Sequence, residues 1–231
     1  MKKIIISLLF VATNYAVVAQ SMAEHHNMFL TGLFNKYSNG SITFSIVLNE
    51  YELYRQDKNL PASNLTINDL KNNYLDGVTN VQTFVNKLKN QSLLTNSEAN
   101  FITKLEIFLQ NKYTGNGLPT ENQLNGYLND SKALMEYTAL TATEKSKMES
   151  FFDSMRKSYT FWLSYENGVT SNARRCRWGC AICVAIFDAA GIAAGGVSGV
   201  GTGIAAGVAV SLFARCCICG NCGPQVQCSW N

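Results

Sequence analysis

The chain has 231 residues, of which 47% are hydrophobic and 15% are charged, and its formal net charge at pH 7 is +3. Between Gln20 and Thr170 there are 13 Lys+Arg residues against 15 Asp+Glu residues, so this body of the chain is almost neutral. A near-neutral body argues against nucleic acid as a partner, because binding by counterion release needs a concentrated basic face.

The N-terminal segment has the pattern of a secretory signal peptide. Lys2 and Lys3 give a positive start, residues 4–18 are mostly apolar, and small residues ending at Ala19 form a cleavage signal. A retained membrane helix is disfavoured because Thr13 to Tyr15 interrupt a run that is already short for a membrane span. Residues 1–19 are therefore predicted to be a signal peptide, and the mature chain to be secreted or located in the periplasm or cell envelope, where disulfides persist.

Residues 20–168 contain no cysteine and are predicted to form an antiparallel helical bundle. Four capping boxes mark helix starts, because in each a Thr oxygen and a side chain three residues later satisfy backbone amides that the helix leaves free. Apolar residues then recur at helical spacing behind each start. The boxes are Thr66 with Asp69, Thr95 with Glu98, Thr120 with Gln123, and Thr141 with Glu144.

The beginning of the body, Glu24 to Lys58, is also predicted to be helical. Its pattern is mixed, since Ile42, Phe44 and Ile46 alternate like a strand before helical spacing returns.

The body offers no recognisable chemistry. His25 and His26 are adjacent, and such a pair near a mature N-terminus is expected to be exposed and without a catalytic or metal role. No nucleophile elbow and no phosphate-binding glycine loop followed by Lys occurs. We therefore predict no enzymatic activity, no catalytic residue, no cofactor, no metal and no small-molecule substrate.

The last quarter of the chain is a Gly/Ala-rich apolar run in which glycine recurs every fourth residue. This spacing places the glycines on one face of a helix, where the lack of side chains lets another helix approach closely. Each glycine costs about 1 kcal/mol relative to alanine in a helix interior, so five of them need a packing reason. A flexible linker is disfavoured because Ile, Val and Ala fill the gaps. The helix-packing glycines are Gly191, Gly195, Gly199, Gly203 and Gly207.

Cysteine positions favour a hairpin over one continuous helix. A straight helix would hold Cys183 and Cys216 about 50 Å apart, too far for a disulfide, and both cysteine clusters have odd numbers. Reversal about Gly199 brings Cys183 opposite Cys216, and likewise the cysteines three residues further out. We predict pairing between the clusters, without assigning every bond among the 105 possible connectivities. The cysteines expected in disulfides are Cys176, Cys180, Cys183, Cys216, Cys217, Cys219, Cys222 and Cys228.

The same cysteines have a second interpretation as a metal site. Cys180 and Cys183, like Cys219 and Cys222, have the spacing of a four-thiolate zinc or iron-sulfur site. Export disfavours this interpretation because oxidising compartments form disulfides. The predicted fold is thus all-α, with a bundle at 20–168, a linker at 169–175 and a disulfide-clasped helical hairpin module at 176–231.

These features predict a secreted, membrane-active protein whose hairpin inserts into or assembles on membranes. The composition resembles in kind that of cysteine-stapled, Gly/Ala-rich antimicrobial peptides and bacteriocins. Partners would be an anionic lipid membrane and, in an assembly, further copies of the chain. The residues expected at the membrane interface are Arg174, Arg175, Arg177, Trp178 and Arg215.

The alternative is a structural or interaction protein of the cell envelope that uses the hairpin as an anchor or as a docked element. Asp188 bears on this choice as the lone charge in the apolar run. It needs a partner or water if it lies in a membrane, or it lies near the surface of a soluble hairpin.

Overall fold

A computed structural model of the chain describes residues 22–37, 41–113, 118–166 and 180–219. The elements in these ranges are helical, apart from an isolated bridge at Ile42, so the predicted all-α class is confirmed. The predicted signal peptide and the predicted linker lie outside the described residues, and the domain boundaries remain predictions.

Ten α-helices follow one another in the described part of the chain. They are α1 (22–36), α2 (Phe44–Lys58), α3 (Ile67–Asp69), α4 (Val81–Asn90), α5 (Asn96–Lys112), α6 (Glu121–Asp130), α7 (Met135–Thr138), α8 (Ala142–Glu166), α9 (Cys180–Val197) and α10 (Val200–Phe213). One turn of 3-10 helix, Ser131–Ala133, follows α6, and π-helical turns follow α3 at Leu70–Leu75 and α10 at Ala214–Ile218.

The capping boxes set where the helices begin. All four predicted boxes form, with the reciprocal hydrogen bonds that the pattern requires. A fifth box, Asn80 with Thr83, starts α4 and lacks the Thr-first pattern that identified the others. The strand-like alternation does not form a strand, since Ile42 makes only an isolated bridge and Phe44 and Ile46 lie in α2. Thr43 caps α2 by accepting a hydrogen bond from the Ile46 amide.

Two of these boxes also fix α5 beside α8. Thr95 Oγ1 donates to Glu144 Oε1 at 2.6 Å, which joins the cap of one helix to the cap of the other. Lys147 Nζ donates to the buried Glu98 Oε2 at 2.9 Å. The long helix α8, which contributes to the site below, therefore starts from a defined position in the bundle.

The hairpin α9–α10 lies at the centre of the fold. Helix α9 packs against α10, α8 and α4, while α10 packs against α2 and the π-helical turn Leu70–Leu75. Phe187 of α9 stacks on Phe84 of α4 with ring centroids 4.8 Å apart. The bundle and the hairpin share one hydrophobic core. The hairpin follows the bundle along the chain, but in the folded structure the helices of the bundle surround it.

Candidate functional site: the docked hairpin and its polar cluster

The chain reverses at a glycine turn between α9 and α10. Helix α9 ends at Val197 and α10 begins at Val200, with Gly199 at φ 124°. Side chains rarely tolerate this φ, so glycine is required there for conformational reasons. The amide of Ser198 donates to the Gly195 carbonyl at 2.9 Å. The predicted reversal about Gly199 is confirmed.

A disulfide closes the other end of the hairpin. Cys180 and Cys219 are bonded, with their Cα atoms 5.7 Å apart, as the register about Gly199 predicts. Cys183, Cys216 and Cys217 are also disulfide-bonded. The remaining three cysteines, Cys176, Cys222 and Cys228, lie outside the described residues, and the pairings other than Cys180–Cys219 remain predictions.

Glycines let α9 and α10 approach closely. A Cβ atom added to Gly195 would lie 2.8 Å from the Cα atom of Gly203, a distance that real side chains do not adopt. A Cβ atom on Gly207 would lie 2.6 Å from Ile192 Cγ1, and one on Gly191 would lie 3.3 Å from Val210 Cβ. Four of the five predicted packing glycines therefore face a close neighbour, and Gly199 forms the turn.

Helix α1 packs against two of the same glycines, Gly203 and Gly207. Met22 Sδ lies 2.8 Å from the position of a Cβ on Gly203, and His26 Cδ2 lies 3.0 Å from that of a Cβ on Gly207. Met22 also packs on Gly196, with its Cε atom 3.0 Å from the corresponding position. The glycine spacing predicted close packing against another helix, which α9 and α10 provide for each other. Helix α1 is a second packing partner, and the sequence did not identify it.

Asp188 lies at the middle of α9 and is completely buried. Its Oδ2 atom accepts hydrogen bonds from Ser158 Oγ and, at 2.9 Å, from Trp162 Nε1, both on α8. Its Oδ1 atom accepts a hydrogen bond from Ser211 Oγ on α10. The lone charge of the apolar run thus faces protein partners instead of water, because three donors replace its hydration.

His26 of α1 completes this cluster. Its Nε2 atom is 3.1 Å from Ser211 Oγ and 3.9 Å from Asp188 Oδ2. Sequence analysis expected His26 to be exposed, and this was wrong, since the side chain is fully buried. His25, its neighbour, is only partly buried and contacts the Tyr54 hydroxyl through Nδ1 at 2.9 Å. We call His26, Ser158, Trp162, Asp188 and Ser211 the polar cluster.

Hydrogen-bond directions restrict the proton on His26. Asn27 Nδ2 donates to the Lys157 carbonyl at 3.0 Å, so its Oδ1 atom is the one facing His26 Nδ1 at 2.9 Å. Nδ1 must therefore carry a proton. Burial raises the pKa of Asp188, while His26 and the three hydrogen-bond donors oppose that rise.

Two arrangements satisfy the rest of the cluster. In the first, His26 is an imidazolium whose Nε2–H donates to Ser211 Oγ, while Ser211 donates to an ionised Asp188. In the second, Asp188 holds the proton on Oδ1 and donates it to Ser211 Oγ, while Ser211 donates to a neutral His26. Both arrangements have zero net charge and share one proton between Asp188 and His26. The cluster is thus fully hydrogen-bonded without a net buried charge.

Arg215 lies beside the cluster. Its guanidinium carbon is 4.9 Å from the centroid of the Trp162 ring and 5.7 Å from that of Phe34, and the side chain is buried. In this structure Arg215 does not reach the surface where a membrane-interface residue would lie. The other predicted interface residues, Arg174, Arg175, Arg177 and Trp178, lie outside the described residues.

The order of the hydrogen bonds in the cluster differs from that of a hydrolytic triad. Ser211, His26 and Asp188 are the residue types of a hydrolytic triad, but here Ser211 stands between the other two. All three side chains are fully buried in this structure. Within the described ranges, no three His, Cys, Asp or Glu residues are grouped as metal ligands.

Both arms of the hairpin meet the length and composition of a membrane span. The segments are Cys180–Val197 and Val200–Ile218, of which 83% and 94% are buried inside the protein. A buried core helix of a soluble protein meets the same test, so these properties alone do not place the hairpin in a membrane.

No protein-family model, no curated protein and no solved structure matches this chain. Function must therefore be argued from the hairpin and its cluster. Among the cluster residues, only Asp188 carried a sequence signal, as a charge within an apolar run.

Proposed function

We propose that this chain is a secreted, membrane-active protein of bacteriocin or toxin type, whose hairpin leaves the bundle and inserts into or assembles on a target membrane. One observation carries the proposal. The centre of the fold is a disulfide-clasped pair of antiparallel helices, each long and apolar enough to span a bilayer, and Asp188 is the one charge between Cys180 and Phe213. Such a hairpin is equally suited to a protein core and to hydrocarbon.

The two helices of the hairpin are held together by contacts within the hairpin itself, so they would move as a unit. The contacts of Gly195 with Gly203 and of Gly207 with Ile192 lie within the hairpin, and the Cys180–Cys219 bond closes its open end. These interactions survive departure from the bundle. Moving apolar side chains from a protein core to lipid keeps them out of water, so the hydrophobic term changes little.

The exposed tip provides an uncharged leading end for insertion. Val197 is 52% exposed at the turn, whereas the cationic residue Arg215 lies towards the disulfide end. Insertion tip first would leave Arg215 and the predicted interface segment Arg174–Trp178 at the headgroups, where arginine binds anionic lipid.

Departure of α1 would also uncover the glycine face that Met22 and His26 cover in this structure. Small residues on one helix face promote association between membrane helices. Assembly of several copies through Gly203 and Gly207 is therefore part of the proposal.

Release of dye from lipid vesicles tests this function. We expect leakage from vesicles rich in anionic lipid, at neutral or mildly acidic pH, and less from zwitterionic vesicles. Val197→Asp places a charge at the exposed tip, where it leaves the docked fold intact but must cross the bilayer centre during insertion, at a cost of about 3 kcal/mol there, so leakage should be lost.

The matched control is Leu53→Asp, because Leu53 is 57% exposed on α2, outside the hairpin. This variant should leak like the unmodified protein. Intact vesicles under all of these conditions, or equal leakage by both aspartate variants, would contradict the proposal.

The near-complete burial of α10 favours a second candidate, a structural or interaction protein of the cell envelope in which the hairpin stays docked. Carbonate extraction of membranes distinguishes the candidates. A carbonate-resistant protein that causes no leakage supports a permanent anchor, and a soluble monomer that causes none supports the docked core.

A further inference from the structure

We propose that the polar cluster is an acid-opened latch, which holds the hairpin to α1 and α8 at neutral pH and releases it in mildly acidic surroundings. This inference rests on the proposed function, because it assigns the condition under which the hairpin leaves. It follows from where the cluster lies and from how many protons each state can hold.

The cluster joins the hairpin to the body. Asp188 and Ser211 belong to the hairpin, whereas His26 belongs to α1 and Ser158 and Trp162 belong to α8. Releasing the hairpin separates these two groups. The surrounding contacts are apolar and respond little to pH, so a proton-dependent change in docking must come from this cluster or from charges near it.

The docked cluster accommodates one proton between Asp188 and His26. A second proton would leave a neutral Asp188 beside a buried imidazolium with no counter-ion. The buried Arg215 guanidinium lies over the ring of Trp162, with its carbon 4.9 Å from the ring centroid. A buried charge without a partner costs several kcal/mol, so the docked state resists the second proton.

The released state accepts that second proton readily. In a bilayer, Asp188 is far cheaper as a neutral acid than as a carboxylate. His26 would remain with the body in water, and an imidazole in water changes its charge between about pH 5 and pH 8. Because the released state then holds two protons and the docked state one, lowering the pH through this range favours release.

The other described charged groups on α1, α4 and α8 lie nearer the surface. Glu24 of α1 pairs with Lys157 of α8 at 3.1 Å, and Lys157 also pairs with Asp153 at 3.0 Å. On α4, Lys87 and Lys89 are only partly buried, as are Asp153 and Lys157, and Glu24 is exposed. His26 and Asp188, in contrast, are both fully buried.

Hydrogen exchange of residues 22–36, measured by mass spectrometry in the presence of vesicles rich in anionic lipid, tests the latch. We expect protection of α1, corrected for intrinsic rates, to fall at least tenfold between about pH 7.5 and about pH 5, since net uptake of one proton changes an equilibrium up to tenfold per pH unit. His26→Gln keeps an amide for Ser211 but takes up no proton, so its α1 protection should not change over this range.

His25→Gln is the matched control, because His25 is adjacent in sequence, only partly buried and outside the cluster. It should retain the pH response. If His26→Gln does not fold, Asp188→Asn gives the second test, because it leaves His26 without its acid partner and should lower α1 protection already at about pH 7.5.

Leakage measured in parallel separates this inference from the proposed function. Loss of α1 protection in acid without any leakage supports the latch and contradicts the function. Leakage with the same efficiency at both pH values, and with unchanged α1 protection, overturns the latch while the function stands. A pH response that persists in His26→Gln, or that disappears in His25→Gln, also overturns the latch.

Discussion

At the scale of single residues, the burial of Asp188 and the burial of His26 depend on each other. Each would be costly to bury alone, and together with Ser211 they form a neutral, hydrogen-bonded unit. A coupled unit of this kind makes its members dependent on each other, so the energies of single substitutions should not add.

We predict that Asp188→Asn lowers the free energy of unfolding by about 2 to 4 kcal/mol at neutral pH, because it removes the buried acid partner of His26 and replaces one accepting carboxylate oxygen with an NH2 group. In urea titrations, the double variant with His26→Gln should be destabilised less than the sum of the two single variants. Additive losses would show that the two side chains do not act as a pair.

Glu106 on α5 gives an independent pH dependence. Burial raises the pKa of Glu106 from 4.5 to about 7, so the folded state binds more protons than the unfolded state between these values. Stability contributed by this protonated carboxyl is present below pH 4.5 and is lost as the pH rises towards 7. The urea midpoint of Glu106→Gln should lack this loss, and parallel pH profiles for the two proteins would refute the prediction.

Sequence reasoning at this scale reached Asp188 but not its partner. A charge within an apolar run is visible in any short window, and it predicts a need for a partner. His26 and Ser211 are 185 residues apart along the chain, and only the packing of α1 on the hairpin brings them together. Adjacent histidines carry no local sign of burial, so the expectation that they are exposed followed from position alone.

At the scale of elements, backbone approach and caps explain most of the helix arrangement. Capping boxes and glycine spacing are local patterns with a geometric cause, and the sequence therefore predicted four helix starts and the hairpin register. The seat of α1 on Gly203 and Gly207 depends on contacts between distant segments and was not predictable in this way.

Alanine substitution of glycines tests the close approach. Gly195→Ala places a methyl group 2.8 Å from Gly203 Cα, so we expect a loss of about 1 to 3 kcal/mol of stability. Gly126→Ala in α6 meets nothing within 4 Å and should gain up to about 1 kcal/mol from helix propensity. Thermal unfolding of the two variants should therefore shift in opposite directions, and a stabilised Gly195→Ala protein would contradict the packing.

The Cys180–Cys219 bond should stabilise the hairpin through the unfolded state. Closing a loop of 39 residues corresponds to about 4 kcal/mol in the chain-entropy description, so the double variant Cys180→Ser, Cys219→Ser should lose stability on that scale. Urea unfolding under non-reducing conditions measures this loss. An unchanged midpoint would show that the remaining disulfides already impose the constraint.

At the scale of the whole molecule, the most apolar segment occupies the centre of the fold. The sequence predicted a hairpin of membrane-spanning length but did not indicate whether the hairpin lies in a bilayer or in the bundle. Both environments favour the same apolar composition. In this structure the bundle encloses the hairpin, and α1 covers its glycine face. Membrane activity therefore requires that the hairpin exchange one apolar environment for another and leave α1 behind.

Hydrogen exchange in the presence of anionic vesicles at mildly acidic pH tests that exchange most directly. Our account predicts that residues 22–36 lose protection when vesicles are added, while residues 181–214 stay protected because the bilayer replaces the bundle around them. If α1 and the hairpin both keep the protection that they show in water, the hairpin has not left the bundle and the central claim is contradicted.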